Sequence, residues 1–242
     1  MAVLGTYTKL LIDEFDFSGA SNALTVTTNV NPLETTVFQA TGTTYLPGLP
    51  GGEITHNGYY NGKGAGMIEQ EIKARLGTTD TVYTAALGGT NIDACPAYVT
   101  KSTWGQQLTI DMPVAELITL SGQWPAVMGM SRGLRIYDGT LSSTGTQTAR
   151  DFASAGSSGG TAYLFVQSIS GTATNATIDI ESATTEGGSY SSEGTFTFSD
   201  VGVQVVTMSG TVNRWLRLNV TSLGGATNFA VVCIACTTGV TQ

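Results

Sequence analysis

The chain has 242 residues, a formal net charge of −8 at pH 7 and only 12% charged residues, with Thr, Ser and Gly filling most polar positions. That balance argues against a phosphate-binding basic surface, because nucleic-acid affinity is built from clustered Lys and Arg, and no such cluster occurs. The length suffices for one large β domain or two of about 120 residues with roughly 70–75% of the unfolded surface buried, so no disulfide or metal staple is required.

Surfaces so poor in charge suit extensive contact with neighbours, although hydroxyl-rich strands of an ordinary β-sandwich have the same composition. The acidic bias lies in the first half. Residues 1–121 hold 11 acidic and 5 basic side chains and the remainder 7 and 5. An acidic wall lets DNA pass without holding it, since like charge removes the attractive contribution.

From the N-terminus, KLLIDEFDFSG (9–19) begins as a short strand, and SNALTVTTNV and NPLETTVF (31–38) continue as strands by their apolar/polar alternation. Residues 39–53 then carry Pro47, Gly48, Pro50, Gly51 and Gly52, which predict a long loop. Tyr45, Leu46 and Leu49 in it are apolar, so the loop either meets a partner or folds over its own core. GEITHNGYY is a strand leading into NGKGAGMIEQEIKARLG (61–77), the one convincing helical pattern, with the helix expected at about 65–76. Ile68, Ile72 and Leu76 form a narrow apolar stripe. Glu69 and Lys73 are spaced for an i,i+4 pair, and Gly77 stands where a left-handed C-terminal cap belongs. The acidic side of this helix, Glu69 and Glu71, is free to meet a neighbouring subunit. The glycines before it do not form a P-loop, because Lys63 is followed by Gly64 and not by Ser or Thr.

Four further strand-like runs follow, DTVYTAALGG, ACPAYVTK, WGQQLTIDMPV and AELITLSGQW. A Pro-, Gly- and Met-rich connector then places a boundary near residue 130. The second half contains seven strand-like runs with turn signals about every ten residues, which describe a sandwich or jelly roll. The expected architecture is mainly β. Residues 1–130 form a tube-like β-sandwich or barrel domain with one short helix, and 131–242 form an immunoglobulin-like or jelly-roll-like accessory sandwich.

Chemistry-bearing constellations are scarce. His56 is the only histidine and no Ser lies in a nucleophile-elbow context. Asp13, Glu14 and Asp16 cluster early, and Asp179 and Glu181 share one strand face opposite Ile178 and Ile180, which reads as a solvated face before it reads as an acid/base pair. Cys233 and Cys236 form a CxxC inside the strand-like FAVVCIAC, where residues three apart point to opposite faces. With only Cys95 and His56 left to complete four ligands, they are structural. In VNRWLRLNV, Arg214 and Arg217 fall on opposite faces, each salt-bridging at its own. The expectation is no enzyme, no cofactor and no metal. There is no signal-peptide pattern and no apolar run of membrane length, so synthesis is expected in a reducing cytoplasm.

Three segments resemble the major tail tube proteins of long, non-contractile-tailed bacteriophages: ETTVFQATGTTYLPGLPGGEITHNGYY, RGLRIYDGTLSSTGTQTARDFASAGSSGGTAYLFVQSISGT and GTVNRWLRLNV. None is a catalytic motif. The resemblance implies a virion structural protein whose subunits form rings, most often sixfold, stacked around the tape-measure protein and later conducting DNA, with strands of neighbouring subunits closing an inner barrel. A duplicated tube domain would give threefold rings, but the second half lacks a helix. By the same resemblance the loop at 39–53 reaches the adjacent ring, making Tyr45, Leu46, Pro47, Leu49 and Pro50 candidate contacts. Alternatives are a tail terminator, a decoration protein, or a carbohydrate-binding module using Trp215, Tyr163 and Tyr190 as sugar platforms.

Overall fold

The computed structural model describes residues 7–35, 42–43, 45–62, 64, 66–88, 96–127 and 129–238; the side chains of residues 31, 47–50 and 101 also lie outside the description. In chain order the elements are β1 (Lys9–Ile12), β2 (Phe15–Asp16), β3 (Ser21–Glu34), β4 (Tyr45–Tyr59), α1 (Ile68–Arg75), β5 (Thr81–Ala86), β6 (Pro96–Thr103), β7 (Gln107–Asp111), β8 (Thr119–Pro125), β9 (Ser131–Leu141), β10 (Gly145–Thr146), β11 (Arg150–Asp151), β12 (Gly160–Gly171), β13 (Ala176–Ala183), β14 (Ser191–Phe198), β15 (Gly202–Met208), β16 (Trp215–Ser222) and β17 (Ala226–Thr237). The chain is mainly β, with α1 the one α-helix among the described residues.

Two compact units divide it, one of residues 1–16, 86–97 and 132–242, the other of 17–85 and 98–131. A break falls between residues 131 and 132, but the units interleave in sequence, because residues 1–16 and 86–97 group with the C-terminal half.

The unit containing the C-terminal half is a sandwich. One layer runs β15-β12-β17-β9, the other β10-β16-β13-β14 with β11 also on β16, and all the registered pairs are antiparallel. The seven runs expected after residue 130 are all strands. Their apolar alternation drives the packing, since residues two apart face the same side. Ile178 and Ile180 of β13 and Leu216, Leu218 and Val220 of β16 meet Leu164 and Val166 of β12 and Phe229, Val231 and Cys233 of β17 in one dry core. In β17, Val231–Cys236 are buried on both faces, so FAVVCIAC is continuously apolar instead of alternating.

In the other unit, β3-β4-β8-β7 form a four-stranded antiparallel sheet. Leu120 and Trp124 of β8 and Ile54 of β4 are buried, as are Ile68 and Ile72 of α1 and all of β5. Tyr83 of β5 packs against Trp124 with ring centroids 4.8 Å apart. The helix is shorter than its sequence pattern. Leu76, expected in the apolar stripe, is its C-cap and 39% exposed, because extended dihedrals there end the helix one residue early. Gly77 follows in the left-handed region at φ +77°, and its N–H bonds to the Gly105 carbonyl at 3.2 Å.

Candidate assembly surface

The four-stranded sheet has two unlike faces, set by alternation along each strand. Leu24 and Val26, Ile54 and His56, Leu120 and Trp124 point inward; Thr25, Thr55, Asn57, Thr109, Ser121 and Gln123 share the opposite face by register. That outer face carries hydroxyls, amides and the carboxylates Glu53 and Asp111, and Glu53 accepts a hydrogen bond from Gln123 Nε2 at 2.9 Å. None of the four strands contains a Lys or Arg. Shallow concavities on this face are lined by the same hydroxyl and amide side chains, among them Thr55, Asn57, Gln107, Thr109 and Ser121.

Neither margin strand has a second strand partner among the described residues, β3 pairing only with β4 and β7 only with β8, and α1 lies beside β7, with Arg75 and Gly77 bonded to Gly105 just before that strand. Unpaired N–H and C=O groups along a 14-residue strand such as β3 are a template for another strand, and proteins normally blunt such an edge.

The loop expected at 39–53 is different in the structure. Residues 45–53 belong to β4, paired with β3 as Glu34 with Tyr45, Leu33 with Leu46, Pro32 with Pro47 and Val30 with Pro50. Among the described residues this part of β4 has a strand on one side only, since β8 joins from Glu53 onward. A proline lacks a ladder donor, and a one-sided ribbon is where that lack is tolerated. Gly52 is also no turn glycine, because a Cβ there would lie 3.0 Å from the Thr27 carbonyl oxygen and 3.0 Å from Met130 Cε. Tyr45 and Leu46 are exposed at 57% and 58%. The side chains of Pro47, Leu49 and Pro50 lie outside the described residues.

Of the two helical acids, Glu71 has its contacts inside the unit. Its carboxylate pairs with Arg75 at 2.7 Å and accepts the Gly66 N–H at 2.9 Å, tying the helix to the segment before it. The i,i+4 pair that forms is therefore Glu71 with Arg75, not Glu69 with Lys73. Glu69 is half-buried.

The candidate chemical groups are dispersed. His56 Nδ1 shares a hydrogen bond of 2.6 Å with the Tyr83 hydroxyl, and burial pushes its pKa down to about 4. Asp13 occupies the β1–β2 turn at φ +50°, and Asp16 pairs with Lys9 at 2.7 Å. Asp179 accepts the Thr195 hydroxyl at 2.6 Å. Glu181, expected on a solvated face, is buried and holds Arg217 at 2.7 Å and Asn219 at 2.9 Å. Cys233 and Cys236 are buried free thiols, on a strand covered on both faces, and burial raises both pKa values, that of Cys236 to about 12. Arg214 forks onto both Asp151 oxygens, a separate pairing from that of Arg217. Lys63 and Cys95 lie outside the described residues. Among the described residues, no group of three or more His, Cys, Asp or Glu is placed to hold a metal, and no helix is long and apolar enough to cross a membrane.

Of the three residues expected as sugar platforms, Tyr163 is closed off and each of the other two has an arginine over its ring. Tyr163 is 1% exposed within β12. The Arg217 guanidinium carbon lies 3.7 Å from the Tyr190 ring centroid, covering one face of that ring, and Trp215 is half-buried with Arg214 stacked at 5.8 Å.

Sequence reasoning missed Val30, Leu33, Met112, Val114, Leu117 and Ile118, all exposed apolar side chains at the two ends of the four-stranded sheet. The signal for the last four was the run DMPVAELI, where Pro113 interrupts two strand patterns and leaves large apolar residues at the break.

No protein-family model matches the sequence, and no curated protein does. Among solved structures, the chain is similar to a component of the virion of a native gene transfer agent particle, at 8% identity and a TM-score of 0.42 over 54% of this chain and 98% of that one. It is similar to a component of the sheath-tube complex of an extracellular contractile injection system at 12% identity, TM-score 0.41, over 54% and 90%. It is also similar to the SPP1 Dit protein, described as a hub adsorption apparatus in phages infecting Gram-positive hosts, at 9% identity, TM-score 0.37, over 94% and 98%. All three scores lie below 0.5, and nothing about this chain's role is drawn from them.

Proposed function

We propose that this chain is a structural virion protein, the major tube subunit of a phage tail. Its copies close into rings, most often sixfold, that stack around a tape-measure protein and afterwards conduct DNA. The supporting observation is the four-stranded sheet, whose margin strands β3 and β7 have no further strand partner among the described residues and which bears one face without a Lys or Arg. Joining β3 of one copy to β7 of the next satisfies both open edges at once, and repetition around a ring removes every edge. The face bearing Thr55, Asn57, Ser121 and Gln123 then lines the channel. Hydroxyls, amides and two carboxylates give passing phosphates no cation to condense on, so DNA slides without sequence-specific binding.

On this reading the protein has no enzymatic or membrane role, is made in the host cytoplasm and is carried in the virion tail. The sandwich unit is an accessory on the subunit. Electron microscopy of the purified protein tests the proposal. Rings and tubes are the expected outcome, and end-on views distinguish sixfold from threefold symmetry. A strictly monomeric species at high concentration by light scattering overturns it, and single unstacking rings favour a tail terminator.

A further inference from the structure

Asparagine is followed by glycine at Asn57-Gly58 and at Asn61-Gly62. Of all asparagine contexts this one is most open to attack of the backbone on the side chain, because a glycine has no Cβ to obstruct its nitrogen as it approaches the side-chain amide carbon. Both asparagines are exposed, so solvent reaches them alike. Their backbones differ.

Asn57 and Gly58 lie inside β4, registered with Ala23 and Ser21 of β3 on one side and with Ser121 and Leu120 of β8 on the other. Turning the Gly58 nitrogen onto the Asn57 side chain requires rotation about the Asn57 Cα–C bond, which disrupts the pairing on both sides. The site is also crowded, since a Cβ on Gly58 would fall 2.3 Å from the Ala20 carbonyl oxygen. Asn61 and Gly62 instead stand between β4 and α1, in no strand or helix. Gly62 has φ +118°, and nothing lies within 4 Å of where its Cβ would be.

The Asn61 side chain is held by the group that would react. Its Oδ1 accepts the N–H of Ile68, the first residue of α1, at 3.3 Å. Attack at Cγ places negative charge on that oxygen, and a backbone donor at the positive end of a helix stabilises such a charge as it develops.

We propose that Asn61 is a site of spontaneous deamidation driven by the Gly62 nitrogen, and that Asn57, in the same sequence context, is protected by its two neighbouring strands. The Gly62 nitrogen gives its proton to solvent and bonds to Asn61 Cγ. The Cγ–Nδ2 bond then breaks, and the nitrogen takes up a proton and leaves as ammonia, so that a succinimide ring remains. Water opens the ring at either carbonyl, to aspartate or to isoaspartate, in which the backbone runs through the former side chain. Either product adds one negative charge to a chain already at −8. Aspartate keeps an oxygen placed for the Ile68 N–H and puts its charge where the start of α1 favours it. Isoaspartate lengthens the backbone between residues 61 and 62 and alters that anchor. The site is independent of whether copies assemble into a tube.

Full-length protein held at mildly alkaline pH, where the attacking nitrogen loses its proton more readily, and then digested for peptide mass spectrometry tests this. In the folded protein Asn61 should convert at least about tenfold faster than Asn57, which has to wait for local opening of a doubly paired strand. In concentrated urea the two should convert at similar rates. Asn61→Gln should remove most of the acidic species that isoelectric focusing resolves in aged wild type, with an unchanged melting curve verifying its fold. Any of three results overturns the site: Asn57 keeping pace with Asn61 in the folded protein, Asn61 staying intact over a time in which the urea sample converts, or Asn61→Gln gathering acidic species as fast as the wild type.

Discussion

The sandwich and the four-stranded sheet are built from similar Thr-rich alternating strands, yet the sandwich is finished and the sheet is not. In the sandwich two layers bury each other's apolar faces in one core, and its charges find partners nearby: Arg214 with Asp151, Arg217 with Glu181. The sheet buries one face, leaves the other wet, gives its margin strands β3 and β7 no further strand partner among the described residues, and puts large apolar side chains at both ends. A unit that has satisfied its own groups has little reason to seek copies of itself. One with open edges and exposed apolar ends does, because association supplies the missing partners.

The sharpest way to break this contrast is to open a cavity in the sandwich. Phe229 is fully buried and meets Phe198 edge-on at 5.0 Å, so Phe229→Ala should lower stability by about 3–5 kcal/mol, read as a large drop in thermal midpoint. A loss below about 1 kcal/mol would show that the sandwich core does not carry the unit's stability.

A pH titration makes the next largest change, and it strikes the other unit. The His56 ring takes up a proton near pH 6.5 when unfolded but only near 4 when folded, because burial disfavours its charged form. Between those values the unfolded chain binds more protons, so stability falls as pH is lowered from about 6.5 to 4, by roughly 3 kcal/mol, and this group adds no further loss below that window. His56→Gln should flatten that slope in melts recorded across the window. An unchanged slope would place the titrating group elsewhere.

The smallest effect sharpens the line between folding and assembly. Glu71→Lys should lower stability by about 1 kcal/mol, since it removes the Arg75 pair and the carboxylate that accepts the Gly66 N–H. Glu69→Lys, whose carboxylate does neither, should change the melt by less than about 0.5 kcal/mol. If Glu69→Lys also leaves tube yield untouched, the helix contributes packing and no subunit contact.

Much of the fold was legible because alternation survives wherever one strand face is buried. The seven strands of the sandwich and the burial of FAVVCIAC followed from the pattern of Ile, Val, Phe and Leu alone. The segment PGLPGG was misread for a physical reason. Proline and glycine mark turns locally, but Pro47 and Pro50 fit a ribbon with a free side, and Gly52 is required by the approach of Thr27 and Met130. Tyr45 and Leu46 were legible as apolar residues that either meet a partner or fold over their own core, and the structure exposes them, whereas Val114 and Leu117 looked like the flanks of two strands until their exposure was known.

By itself the sequence determined the β class, the single helix around Ile68 and Ile72, the scarcity of cations and the absence of a nucleophile-elbow or P-loop pattern, because these depend on residue type and local period. Only the tertiary structure decided that β3 and β7 are the margin strands, that Glu71 is held within its own unit, that Arg217 covers Tyr190, and that two apolar groups stand at opposite ends of one sheet. Edges, exposure and distance arise from pairing between segments far apart in the chain, and no local pattern encodes them.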